Sequence, residues 1–425
     1  MRFLYSALLY LVTPLLLARL FWRGLAQREY WHRIGERFGF VPRSGHGVSV
    51  WVHAVSVGES VAALSLIETL VAAHPPRSVL VTTTTPTGSA RVRAALGDRV
   101  LHTYTPYDLP DVVARYIVRM RPRRVIVMET ELWPNLFRAL ARERIPIVIA
   151  NARLSPRSFA NYLRIRSSMK RILADCRLIA AQSEPDAQRF CRLGADPARV
   201  EVTGNLKFDQ ALPAAQLAAG AQWRKAWGAD RPVWCAASTH EGEEAIALRA
   251  HAALLEREPR SLLLLVPRHP QRFEAVARLC EKSGLKFARR SVLKLPEDAA
   301  KLAEANVLLG DSMGELNTCF GASDVALVAG SFVPVGGHNV LEPAAAGVPV
   351  LFGPHMFNFE QARSVLLDAG AARQLTVEAQ LAPALAELLG DPPLRKEMGR
   401  AGRAVMAANR GALQRLLALL EKIPG

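Results

Sequence analysis

Three short stretches combine a serine with a glutamate three residues later and a glycine inside or just after the pair: Ser56-Val-Gly-Glu59, Ser238-Thr-His-Glu241-Gly242 and Ser312-Met-Gly-Glu315. S-x-x-E is the spacing of a helix capping box, in which the two side chains satisfy each other's orphan backbone N–H groups. A helix N-terminus also attracts anions, so each opening has a structural reading and a ligand-binding one. A carboxylate held in a cleft has a third use, because desolvation raises its pKa toward that of a general base. Glu59 is the strongest candidate for that role, just before the apolar run VAALSLIETL.

The stretch AGSFVPVGGHNVLEPAAAGVPVLFGP, residues 329 to 354, has the densest chemistry. Gly336 and Gly337 permit close backbone approach, Asn339 is placed to open a helix, and Glu342 sits where a capping carboxylate would. Capping alone does not call for Ser331, two glycines and His338 in one loop. Glu129 and Glu131 in ETELWPN, Arg153 in NARLS and Lys207 in GNLKFD follow apolar runs, as do Arg268 in PRH and Met313-Gly314-Glu315. His53 and His338 flank the best motifs and read equally well as structural hydrogen-bonders.

Those positions need elements that bring them together. From residue 48 onward, short β-rich runs alternate with helical stretches: GVSVWVHAV, SVLVTTTT, RVLHTYTP, RRVIVMET, IPIVIANAR, CRLIAAQS and RVEVTGNLK. Such runs imply a parallel sheet covered on both faces. The strandless stretch QALPAAQLAAGAQWRKAWGADRP reads as a linker, and a second series follows: VWCAAST, SLLLLVPRHP, LKFARRS, NVLLGDS, VALVAGS and VPVLFGP. With 425 residues, two doubly wound α/β domains are expected. The expected boundaries are 1–22 anchor, 23–210 first domain, 211–231 linker and 232–425 second domain. Nearly every motif falls at the carboxyl end of a strand, where this fold class keeps its ligands, and a cleft between the domains would complete the site.

The formal charge of +16 calls for anionic partners. The basic residues lack the aromatic-and-glycine spacing of an RNA-binding motif and no Cys/His finger occurs, which argues against nucleic acid and leaves anionic lipid or nucleotide. Cys176, Cys191, Cys235, Cys280 and Cys319 are odd in number and widely spaced, the pattern of buried thiols in a reducing compartment. Neither a D-x-D nor a zinc-helix histidine pair is present, so no metal or other cofactor is expected. Residues 3–18 are apolar apart from Ser6, Tyr10 and Thr13, and arginines at 19, 23, 28, 33 and 37 follow. The length is marginal for a span that keeps the body cytoplasmic, and Pro14 leaves open a helix lying in the interface. The following aromatics, LFWRGLAQREYWHRIGERFGF, suit the headgroup level or ordinary packing on the domain.

Taken together, GSFVPVGGHNVLEPAAAGVPVLFGP, HAVSVGE, ETELWPN, NARLSPRS, GNLKFD, VPRHPQRF and DSMGEL resemble the Kdo (3-deoxy-D-manno-octulosonic acid) transferases of lipopolysaccharide synthesis, over a stretch from the anchor to about residue 360. The resemblance implies a GT-B glycosyltransferase with two Rossmann-like domains that moves Kdo from CMP-Kdo to the lipid A precursor lipid IVA with inversion, on the cytoplasmic face of an anionic inner membrane. By position it implies Glu59, beside Gly58, as general base. It implies Arg268, Met313, Gly314, Glu315, Asn339 and Glu342 as CMP-binding positions. Glu129, Glu131, Arg153, Lys207 and Gly58 stand as weaker candidates for acceptor or donor sugar. A membrane-associated GT-B enzyme using a UDP-sugar is the alternative. The C-terminal GALQRLLALLEKIPG has helical spacing, and resembling folds return such a helix to the first domain.

Overall fold

A computed structural model describes residues 2–210 and 212–423. Met1, Ala211, Pro424 and Gly425, which fall within the expected anchor, linker and second domain, lie outside the described residues. The chain forms two compact units, one of Met1–Gln210 with Asn409–Gly425 and the other of Ala211–Ala408.

The first unit carries seven parallel strands: β1 (Val50–His53), β2 (Val79–Thr83), β3 (Leu101–Tyr104), β4 (Val125–Met128), β5 (Ile147–Ala152), β6 (Cys176–Ala181) and β7 (Val200–Val202). Their order is β3-β2-β1-β4-β5-β6-β7, so the direction of winding reverses between β1 and β4. β1, β2, β4 and β5 are buried along their whole length because helices cover both faces of the sheet. Trp51 and Tyr116 centre the core on one face, while Val52, Leu66 and Val81 centre the other.

The second unit repeats the plan with β8 (Val233–Thr239), β9 (Leu262–Pro267), β10 (Phe287–Arg289), β11 (Val307–Leu309), β12 (Val325–Val328), β13 (Val350–Phe352) and β14 (Ala372–Gln374), in the order β10-β11-β9-β8-β12-β13-β14. The reversal here lies between β8 and β12. The sequence series missed β14: three residues, Ala-Arg-Gln, at a sheet edge carry no apolar run.

Nine helices matter below and are numbered in chain order: α1 (Arg2–Ala26), α2 (Val57–Ala62), α3 (Pro110–Met120), α4 (Pro134–Arg142), α5 (Ala214–Trp227), α6 (Glu243–Leu255), α7 (Leu316–Ala322), α8 (Leu341–Ala346) and α9 (Ala412–Glu421). The stretch expected to be a linker is largely α5, whose Gly220 lies so close to Gly321 of α7 that a Cβ would sit 2.8 Å from its Cα. The small residues that make 214–227 look strandless and flexible are what permit this helix–helix approach. α9 packs on the first sheet, burying Ala412, Leu416, Leu420 and Ile423 in the same cluster as Val52 and Ile126. Asp209 accepts from the backbone N–H of Gly411 (2.6 Å) and of Leu413 (2.5 Å), which fixes where α9 begins.

α1 is a helix long and apolar enough to cross a membrane, and it continues through Pro14. After it the chain folds back, so that Trp31 stacks on Phe21 with ring centroids 5.5 Å apart and donates its indole N–H to the Phe21 carbonyl at 3.1 Å. Trp31 is therefore packing for α1. All five cysteines are free, and Cys191 is half-buried while the other four are buried.

Candidate active site

At the carboxyl edge of the first sheet, Ser56 caps α2: its Oγ accepts from the Glu59 N–H at 3.1 Å. The Glu59 carboxylate does not close the box on Ser56. It reaches one residue further back and accepts from the Val55 N–H at 2.9 Å. The side chain is buried, with residue exposure of 6%, and burial pushes its carboxyl up to about 7; the Ser56 and Val55 hydrogen bonds oppose the rise and the neighbouring Glu131 and Glu129 add to it. Gly58 has an ordinary backbone conformation, and a Cβ there would meet nothing nearer than the Ser56 Oγ at 3.8 Å.

Glu129 and Glu131 follow β4, across the sheet reversal from Glu59. Glu129 takes a left-handed φ of 54° and its carboxylate lies 3.4 Å from the Lys207 ammonium, which comes from the loop after β7. Glu131 accepts from the Trp133 indole at 2.8 Å, and its carboxyl too is raised by burial and by Glu129. The Thr130 hydroxyl donates to the Arg153 carbonyl, binding the loops after β4 and β5 together. Asn151, at the end of β5 with φ 54°, accepts from the Leu206 N–H at 2.9 Å and so positions the segment that carries Lys207. Sequence reasoning quoted the NARLS stretch without singling out Asn151; the signal for it is an Asn closing an otherwise apolar strand. His53 is fully buried under Trp133 and its ring is held neutral, its pKa lowered to about 3 by burial, which makes it structural rather than an acid or base. The first unit thus gathers Glu59, Glu129, Glu131 and Lys207 around the point where the strand order reverses, the site-bearing position in doubly wound sheets.

The second unit presents a different surface. Of the three S-x-x-E openings, only Ser56–Glu59 caps a helix by side chain. Glu241 is exposed, and α6 starts two residues later after Gly242 turns the chain at φ 94°. Glu243 and Glu244 are both buried, Glu244 against Arg272 at 3.0 Å and Glu243 among backbone donors. Glu243 accepts from the backbone N–H groups of Gly330 (2.7 Å), Ser331 (3.0 Å), Phe332 (3.0 Å) and His240 (3.1 Å), tying the loop after β8 to the loop after β12. Sequence reasoning did not single it out, because nothing local reveals that its partners lie almost ninety residues away. Ser312 donates to Glu315, whose carboxylate also meets Arg290 at 2.7 Å, so this pair forms a polar knot before α7 rather than a capping box. Met313 and Gly314 form an exposed turn there, Gly314 at φ 88°.

Arg268 follows β9, its backbone N–H bonded to the Thr239 carbonyl at 3.0 Å. Its charge helps depress the pKa of His338, His240 and His269, after burial, which is the larger cause for each. His240 and His338 stack with centroids 5.0 Å apart, and their Nε2 atoms are 2.8 Å apart, a bond across the reversal between β8 and β12. Asn339 accepts from the Leu341 N–H at 3.1 Å and donates to Glu342 at 3.0 Å at the start of α8. Gly337, at φ 77°, lies so near Met356 that a Cβ would be 2.2 Å from its sulfur. Arg268, His338, Asn339 and Glu342 therefore share one end of the sheet, with 313–315 on the neighbouring loop after β11. Among the described residues, no cluster of three His, Cys, Asp or Glu side chains has the geometry to hold a metal ion.

Residues 32–210 match the family model described as 3-deoxy-D-manno-octulosonic-acid transferase (kdotransferase). The chain is 43% identical over 423 residues to the 3-deoxy-D-manno-octulosonic acid transferase of Haemophilus influenzae, covering 99% of this chain and 98% of that one. It is 41% identical to the enzyme of that name from Bordetella pertussis, over 88% of this chain and 86% of the other. Among solved structures, UDP-GlcNAc 2-epimerase from Neisseria meningitidis superposes with a TM-score of 0.57 at 14% identity, over 88% of this chain and all of that one, a likeness of GT-B fold alone. Near-full-length identity at this level, over a chain whose polar residues crowd the carboxyl edges of two such sheets, means that the protein belongs to the Kdo transferase family, glycosyltransferases of lipopolysaccharide synthesis.

Proposed function

We propose that this glycosyltransferase moves Kdo from CMP-Kdo onto lipid IVA with inversion at the anomeric carbon, and that Glu59 takes the proton from the acceptor hydroxyl. The observation that carries the reading is the state of Glu59: buried at the sheet reversal, anchored through the Val55 N–H, with a carboxyl raised to about 7. A base of that pKa is ionised often enough near neutrality to work and basic enough to accept a proton, an arrangement that typically contributes ~10²- to 10⁴-fold. The Lys207 ammonium beside Glu129 suits the donor's carboxylate or an acceptor phosphate, with Arg153 on the adjoining loop.

In the second unit, Arg268 with the start of α8 at Asn339 would meet the phosphate of CMP, a single phosphate whose charge one guanidinium and local N–H groups can balance without metal. Glu342 and the 313–315 turn would contact the ribose and base. The apolar α1 and the basic first unit suit an anionic inner-membrane surface with the catalytic units on its cytoplasmic side.

Transfer of radiolabelled Kdo from CMP-Kdo to lipid IVA in detergent tests the donor and acceptor directly, and anomeric configuration of the product tests inversion. Stabilisation by UDP in place of CMP in a thermal-shift measurement, with no Kdo transfer, would instead favour a UDP-sugar enzyme.

A further inference from the structure

α1 carries a stripe of half-buried and buried residues, Tyr5, Leu9, Val12, Leu16, Leu20 and Gly24, at helical three- and four-residue spacing along its whole length. Three side-chain hydrogen bonds fasten its first half to the first unit. Tyr5 donates to Asp108 at 3.0 Å, Ser6 to Asn135 at 3.1 Å and Tyr10 to Asp111 at 2.5 Å. These partners sit where α3 and α4 begin, and Asp108 simultaneously accepts from the Asn135 and Leu136 N–H groups at 3.1 and 2.7 Å. A spanning helix entering at Arg19 would carry Tyr5 about 21 Å into the bilayer at ~1.5 Å per residue. Helix-capping carboxylates of a water-soluble domain cannot follow it there, since buried unpaired charge in hydrocarbon is prohibitive. Docking and spanning are therefore exclusive.

The opposite face of α1 is apolar and uncovered: Leu4, Leu11, Leu15 and Trp22 are each more than 65% exposed. Between α1 and the groove of α3 and α4 lies a cavity of about 650 Å³. Ile117 and Ala139 line its floor, Ala114 and Val118 its open side, and Arg138 and Arg142 stand at its edge. Among the described residues neither guanidinium is matched by a carboxylate, although Glu143 lies on the same rim.

We infer that α1 lies in the plane of one leaflet, docked on the first unit, and that the cavity it roofs takes an acyl chain of an anionic phospholipid whose phosphate meets Arg138 and Arg142. The inference rests on the membrane-surface reading above and adds a built site to it. An apolar floor with cations only at one mouth fits a chain with a phosphate at its end, and the uncovered face of α1 would meet the surrounding lipid.

Two measurements on the full-length protein test it. A cysteine in a short polar tag added ahead of Met1, in a background with the half-buried Cys191→Ser, is exposed to an impermeant maleimide in oriented membrane vesicles. Labelling from the side that bears the catalytic units is expected; labelling from the opposite side alone overturns the docked helix. Flotation with phosphatidylcholine vesicles, with and without phosphatidylglycerol, reads the groove. The Arg138→Gln/Arg142→Gln variant should lose the phosphatidylglycerol preference by on the order of tenfold or more, and Ala114→Trp should abolish co-purified phospholipid. An equal loss from Arg166→Gln/Arg171→Gln, exposed on another helix, would mean diffuse charge rather than a site, and overturns the groove. So does undiminished lipid in the Ala114→Trp protein. Neither assay uses CMP-Kdo or lipid IVA, so failure of the transfer reading would be seen separately.

Discussion

The carboxyl edges of the two sheets occupy equivalent positions in two copies of one plan, yet their chemistry is opposite. The first collects acids: Glu131 and Glu129 add to the rise of the Glu59 carboxyl and Glu129 to that of Glu131, with Lys207 as the cation beside Glu129. The second collects Arg268 and three histidines whose rings are held neutral, from three loops of which the one carrying His338 has glycines that bring backbone close. Crowded, desolvated carboxylates make a proton acceptor. A guanidinium beside neutral rings and backbone N–H groups makes an anion cradle without a competing base. The fold supplies the place in each unit, and under the proposed function the local charge makes one a proton acceptor and the other an anion cradle.

The sharpest break in that comparison is Glu59→Gln. Glutamine keeps the acceptor for the Val55 N–H but cannot take a proton, so kcat should fall by ~10²- to 10⁴-fold with little change in KM for the donor. Stability should move the other way. The folded carboxyl is raised above its unfolded value, so ionising it at pH 8 opposes folding, and the variant's Tm there should equal or exceed that of wild type. The advantage should shrink as pH falls toward the ordinary carboxylate range. Turnover near normal would return Glu59 to a purely structural role.

Arg268→Ala should act as a binding lesion, weakening CMP by roughly 10- to 100-fold, the loss of a charge-assisted hydrogen bond, with kcat less affected. Calorimetric titration of CMP separates the two parameters; a kcat effect equal to that of Glu59→Gln would erase the division between the edges. Asn339→Ala removes an acceptor for the Leu341 N–H and a donor to Glu342, so it should cost about 1 kcal/mol of stability as a cap. If Asn339 also serves CMP, affinity falls beyond what the Tm change accounts for.

The smallest effect sharpens the acid cluster. With Glu59 as the base proposed above, kcat/KM in wild type should rise with pH along a limb near 7. Glu131→Gln removes one of the charges that raise it, so the limb should move to lower pH by a fraction of a unit. A limb that stays in place, or moves up, would show that Glu131 does not act on Glu59.

Much of this arrangement is legible in the chain itself. All seven strands of the first sheet and six of the second announce themselves as short β-rich runs, the central ones continuously apolar because a parallel sheet covered on both faces needs hydrophobes there. The placement of polar motifs at the ends of those runs follows from the same periodicity, and family resemblance supplied the roles assigned to Glu59 and Arg268. Local spacing failed where partners are remote. S-x-x-E looked alike three times, yet only Ser56–Glu59 caps a helix; Gly242 and Gly314 turn the chain before the other two can.

What the sequence determined by itself, then, is the number and kind of elements and the identity of the chemical groups, since both depend on neighbours a few residues apart. Only the tertiary structure decided that Glu243 ties two loops together, that His240 bonds His338, that 214–227 is a packed helix and that Tyr5 reaches Asp108. Each of those depends on burial and on a partner scores of residues away, and desolvation, the force that turns Glu59 from a cap into a candidate base, exists only once the chain has closed around it.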